Sequence, residues 1–140
     1  MDKYVFIDHT ADIQFAAYGF SFEEALSNAA EAMFTVMANV AALGDEEKVA
    51  IEEKAETLEE LVGYTLGDIL SESSSQEMFF SRFRVDSFHK EGDGYALSGT
   101  AFGEDMTPEK GKTEIKAVTM HEISVSREGN LWKIMVILDI

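Results

Sequence analysis

Apolar residues recur at intervals of three and four over Phe22, Ala25, Leu26, Ala29, Met33, Val36 and Met37, the spacing of a single helix face. A capping box stands immediately before them. In Ser21-Phe22-Glu23-Glu24 the serine hydroxyl can accept from the backbone three residues on while Glu24 reaches back. Thr57-Leu58-Glu59-Glu60 repeats that signature ahead of a second stripe, Leu58, Leu61, Val62, Leu66, Ile69 and Leu70. Two helices are therefore predicted. Gly44 marks the loop beyond the first, and the polar run 72–76 reads as the loop after the second.

The remaining chain is patterned for strands. Residues 3–8 and 13–18 are two short β-rich runs joined by Asp8-His9-Thr10-Ala11-Asp12, and Val49 and Ile51 alternate with polar neighbours as one short, half-exposed strand. Four more strands are read at about 78–86, 95–102, 113–126 and 131–138, with turns at Gly92-Asp93-Gly94 and Glu128-Gly129-Asn130. The last is almost wholly apolar from Trp132 to Leu138, as expected of a central strand covered on both faces. The order β-β-α-β-α-β-β-β-β lacks regular βαβ alternation. It predicts an α+β fold, one domain over 1–140, with a mostly antiparallel or mixed sheet packed with two helices.

Composition narrows the function. A length of 140 residues with 46% hydrophobic content suits one domain with a sizeable core. No apolar run approaches the ~20 residues of a membrane span and the first residues lack a signal-peptide core, so a cytoplasmic protein is expected. Cysteine is absent, which leaves Asp, Glu, His and a terminal carboxylate as metal ligands. Eleven basic against 27 acidic residues give a net charge of −16. Such a surface repels phosphate backbones, so direct stable nucleic-acid binding is not expected, whereas cations and basic partners are compatible with it.

Phosphate-binding loop, nucleophile elbow, His-Glu-x-x-His and Rossmann glycine patterns are all missing. Three clusters remain: Asp8-His9-Thr10-Ala11-Asp12, Ile115-Lys116-Ala117-Val118-Thr119-Met120-His121, and Leu138-Asp139-Ile140. With the Ser21-Phe22-Glu23-Glu24-Ala25-Leu26 helix start and the Gly103-Glu104 pair, and in this order along the whole chain, they resemble the archease family. The chain departs from the family pattern in carrying Met120 in place of an aromatic, no Trp in the second helix near Thr65, and no His soon after Gly103-Glu104.

The resemblance implies an accessory protein of an RtcB-type RNA ligase, which joins tRNA halves using GTP and metal ions. It would promote guanylylation of the ligase, restore multiple turnover and broaden the nucleotides accepted, without being an enzyme. The resemblance also implies that Asp12, Asp139 and the carboxylate of Ile140 hold a divalent metal. That all-oxygen set suits Ca²⁺, the first expectation, or Mg²⁺ or Mn²⁺. Read from the residues alone, Asp12 is first of all a turn residue accepting backbone N–H bonds, and only the resemblance reverses that order. Lys116 is the first candidate for touching the ligase or its nucleotide phosphate, and His9 is placed to orient Asp12 or meet the partner. Asp8 is a possible extra ligand. His121 lies five residues beyond Lys116, on the opposite face if both share an unbroken strand. Two other classes stay open: a metal-dependent phosphohydrolase in which Asp12, His121 and a cation activate water, and a chaperone-like interaction module. His89 is ordinary turn chemistry, and Met33 and Met37 are core filling.

Overall fold

A computed structural model describes residues 2–7 and 12–140. Two helices, α1 (Phe22–Met37) and α2 (Leu58–Gln76), are set among eight strands: β1 (Tyr4–Ile7), β2 (Ile13–Gly19), β3 (Glu47–Ala55), β4 (Met78–Glu91), β5 (Gly94–Asp105), β6 (Ala117–Val118), β7 (Ser124–Glu128) and β8 (Leu131–Asp139). All described strand pairs are antiparallel, and the fold is α+β as expected.

The capping box forms in full at α2, while at α1 Ser21 caps as expected but Glu24 reaches one residue further back, to Phe20. The backbone N–H of Glu24 donates to Ser21 Oγ at 3.0 Å and that of Phe20 to Glu24 Oε1 at 2.9 Å. At α2, Glu60 N–H donates to Thr57 Oγ1 and Thr57 N–H to Glu60 Oε1, both at 3.1 Å. These bonds satisfy donors that would otherwise be orphaned at a helix start.

The strands divide into two sheets rather than one. A five-stranded sheet has the order β1-β2-β8-β6, with β7 also pairing β8, and a three-stranded sheet has the order β3-β5-β4. Both helices bridge the sheets, since α1 packs on β2 and β8 and also on β4, while α2 packs on β3 and β5 and also on β6 and β7. This double contact explains why burial on α1 exceeds one stripe: Ala30, Ala32 and Phe34 are as buried as Leu26 and Met33. Phe15 and Ala17 of β2 with Ile134, Val136 and Leu138 of β8 meet this helix in the core. The prediction that β8 is central holds, for it pairs β2 on one side and β6 and β7 on the other.

Several element boundaries differ from the sequence reading, and β4 runs on to Glu91 rather than ending near 86, which puts His89 in a strand instead of a turn. The run 72–76 is the last turn of α2, not a loop, because Ser73 is buried and its hydroxyl donates to Met78 O, while Glu77 closes the helix in the left-handed region at φ 52°. The strand around Ile51 covers nine residues, Glu47–Ala55, paired to β5 throughout. The expected strand 113–126 is broken into β6, a 3₁₀ turn at Met120–Glu122, and β7. The N–H groups of Lys112 and Thr113 go to Met37 O and Val36 O at the end of α1, so they cannot enter a ladder. Met120 then turns in against α2, where a Cβ on Gly63 would overlap its sulfur.

Candidate functional site

The ladder between β2 and β8 runs from Gly19↔Trp132 to Ile13↔Leu138. Next to that last pair, Asp12 immediately precedes β2 and Asp139 ends β8. On the other side of β8, Ala117 is opposite Asp139, and the backbone N–H of Lys116 donates to Asp139 O at 2.7 Å. Strand pairing therefore gathers Asp12, Lys116, Asp139 and Ile140 at one end of the five-stranded sheet. Asp12 is half-buried, whereas Lys116, Asp139 and Ile140 are exposed.

His121 is carried by a separate element. It lies in the 3₁₀ turn between β6 and β7, after Thr119, whose N–H donates to Ile137 O. The alternation argument that set His121 and Lys116 on opposite faces of one strand fails, since Lys116 precedes β6 and His121 follows it. Asp8 and His9 lie outside the described residues.

Among the described residues no three His, Asp or Glu side chains form a group able to hold a metal ion. The sheet end supplies two side-chain carboxylates, those of Asp12 and Asp139. These are hard oxygen ligands in a partly exposed place, and they fit a hydrated hard cation that keeps several waters. They offer nothing to a metal that demands nitrogen or sulfur.

The Gly103-Glu104 pair has a structural job. A Cβ at Gly103 would strike the carbonyl oxygen of Phe79 on the neighbouring strand, so only glycine allows β4 and β5 to approach there. Glu104 accepts from Gly44 N–H at 2.6 Å and from Lys110 Nζ at 2.9 Å. Those bonds, the Gly44 one foremost, hold its carboxyl below the ordinary value.

A second acidic feature escaped the sequence. Glu53 of β3 and Asp68 of α2 meet side by side, and burial, followed by the hydrogen bond and charge of Asp68, pushes the Glu53 carboxyl from 4.5 up to about 7. Asp68 is also raised, by burial first and by the charge of Glu72, while its bond to Glu53 opposes the rise. The two carboxyls therefore titrate as a pair that holds a proton more readily than either would alone. They come from different elements, and neither sits in a motif. This pair lines an open groove of about 1500 Å³ between α2 and the segment 106–120, which Lys116 also borders.

Compared with known families, residues 4–140 match the model of the archease protein family (MTH1598/TM1083). The chain belongs to the archease family. A protein archease from Methanosarcina barkeri is 36% identical over 99% of this chain and 96% of its own length. One from Methanothermobacter thermautotrophicus is 37% identical over the full length of both. The solution structure of Methanobacterium thermoautotrophicum protein 1598 superposes with a TM-score of 0.86 at 34% identity, covering both chains completely. The crystal structure of a Thermotoga maritima archease, described as a possible chaperone, gives a TM-score of 0.61 at 25% identity over 96% of this chain and 94% of its own. As in the sequence reading, no described helix of this archease-family chain is long and apolar enough to cross a membrane.

Proposed function

We propose that this archease-family chain is a non-enzymatic accessory protein that activates an RtcB-type tRNA-splicing ligase, promoting its guanylylation and multiple turnover and widening its nucleotide range. The observation that supports this reading best is the convergence of Asp12, Asp139, Ile140 and Lys116 at one sheet end, since carboxylates for a divalent ion and a cation for a partner or phosphate then share one small surface. Asp12, Asp139 and the Ile140 carboxylate would hold the ion, with Ca²⁺ preferred over Mg²⁺ or Mn²⁺. Bound there, it would offset their mutual repulsion and fix the ends of β2 and β8. The Lys116 backbone is tied to Asp139 O, so movement at the carboxylates passes directly to the residue that meets the ligase. His9 and His121 are the further partner contacts in this reading, which keeps the protein in the cytoplasm and off stable nucleic-acid binding.

The test adds substoichiometric protein to purified ligase, RNA ends, GTP and divalent metal, and follows ligated RNA per ligase. Many turnovers where the ligase alone makes about one supports the proposal. Hydrolysis of RNA or nucleotide by the isolated protein at about 1 per second or faster would contradict it. A chaperone-like role, the description attached to the Thermotoga maritima relative, is the second reading. The exposed apolar side chains of Tyr64, Met106 and Met120 favour it, and suppression of aggregation of an unrelated unfolding protein would distinguish it.

A further inference from the structure

The groove beside α2 is wide for a small molecule, whose pockets are commonly ~300–1,000 Å³. At about 1500 Å³ it suits a chain segment. A helix ~10 Å across occupies roughly 120 Å³ per residue at 1.5 Å rise, so the space corresponds to about a dozen residues, or three turns.

Its apolar side chains are only partly covered. Tyr64, Met106 and Met120 line it yet remain 40%, 37% and 39% exposed. Methionine is unbranched and polarisable, which lets it adapt to an incoming apolar surface. Gly67 opens the floor. A glycine inside a helix costs about 1 kcal/mol relative to alanine. At Gly63 that loss is explained by Met120 lying over it, but a Cβ at Gly67 would meet nothing within 4 Å. The bare backbone of α2 there admits close approach from outside the chain.

The charge lining the groove is negative. Glu53 and Asp68 stand on one side, Glu114 on the other, and Glu77 at the end of α2. The last turn of α2 has no basic residue to offset the negative end of its dipole. Of the two lysines lining the groove, Lys112 donates to Thr35 O at 2.7 Å, which directs its charge to the end of α1.

We propose that this groove docks a basic amphipathic helix of a partner protein, with its apolar stripe on Tyr64, Met106 and Met120 and its Lys or Arg residues beside Asp68, Glu77 and Glu114. The proposal goes beyond the ligase reading and does not depend on it. Its test leaves Asp12, Lys116 and Asp139 untouched.

The probe is a labelled Leu/Lys helix of about a dozen residues, measured by fluorescence anisotropy against the whole chain at low and high salt. Two further peptides serve as controls, one with the same composition scrambled to destroy the stripe and one with Lys replaced by Glu. The Leu/Lys helix should bind at least about tenfold more tightly than either, and Gly67→Phe, which fills the floor, should weaken it at least about tenfold. Since Gly67→Phe also removes a helix-interior glycine, its melting temperature should hold or rise. Met106→Asp, at an exposed position, provides a second block that does not depend on helix packing. Equal binding of scrambled and amphipathic peptides, or full binding by both folded variants, would overturn the proposal and leave only nonspecific attraction to an acidic surface. Tighter binding of a proline-rich extended peptide of equal charge would overturn the helical occupant.

Discussion

Replacing Glu53 by glutamine should stabilise the protein at pH 8 and leave it nearly unchanged at pH 4.5. In the folded state the Glu53 carboxyl is pushed from 4.5 to about 7 by burial and by the hydrogen bond and charge of Asp68. A raised carboxyl favours the protonated form, so its contribution to stability is present below about 4.5 and is lost as pH climbs through about 7. Glutamine mimics the protonated acid at every pH and can donate to the Asp68 carboxylate. For a fully shielded pair the effect would reach roughly 3 kcal/mol, at 1.36 kcal/mol for each tenfold change in protonation. Glu53 and Asp68 are only half-buried, and solvent screening reduces the expectation to about 1 kcal/mol. That corresponds to about 3–5 °C in melting temperature for a domain of this size. Urea unfolding of both proteins at pH 4.5 and 8 measures it, with Asp68→Asn as a second variant of the same sign. A gain of equal size at both pH values, or a loss at pH 8, would refute the shared-proton account.

Gly103→Ala should cost about 3 kcal/mol or prevent folding, because its Cβ meets the Phe79 carbonyl rather than a side chain that can move; chemical denaturation reads this directly. Lys116→Ala should change stability by less than about 0.5 kcal/mol, as an exposed residue whose backbone bond survives, yet reduce guanylylation of the ligase. Full activation by that variant removes it from the site. Asp12→Asn, Asp139→Asn and a C-terminal extension beyond Ile140 should each weaken divalent-metal binding by calorimetric titration, since each replaces a charged oxygen donor by a neutral one. An N-terminal tag of equal size should not, and unchanged affinity in all three would dismiss the carboxylate site.

The elements that sequence reading located well are those whose cause is local. Ser21 and Thr57 cap through their own glutamates three residues on, and the turns at Gly92 and Gly129 adopt φ of 61° and 60°, which glycine permits without strain. The central place of β8 was legible because a strand without a polar face must be covered twice. What could not be read depended on distant partners. Alternation in 113–126 carries no sign that Lys112 and Thr113 would close the end of α1, and nothing within β3, β4 or β5 says that they form a separate sheet. For the site, family resemblance named Asp12, Lys116, Asp139 and Ile140, but only the register of β2, β8 and β6 brings them together. The Glu53–Asp68 contact lacked any signal, because its two residues come from different elements and neither stands in a motif.

The placement of β8 has a kinetic side. Ile13 pairs with Leu138 across 138 − 13 = 125 positions of chain, and such distant closure slows folding relative to local pairing. The β3-β5-β4 sheet is complete by Asp105, well before β8 is synthesised. Until β8 joins, β2 has only β1 beside it, and the face of α1 that packs on β8 is uncovered. Pairing of β8 closes the five-stranded sheet, so a chain without residues 131–140 would expose the apolar face that β8 otherwise covers.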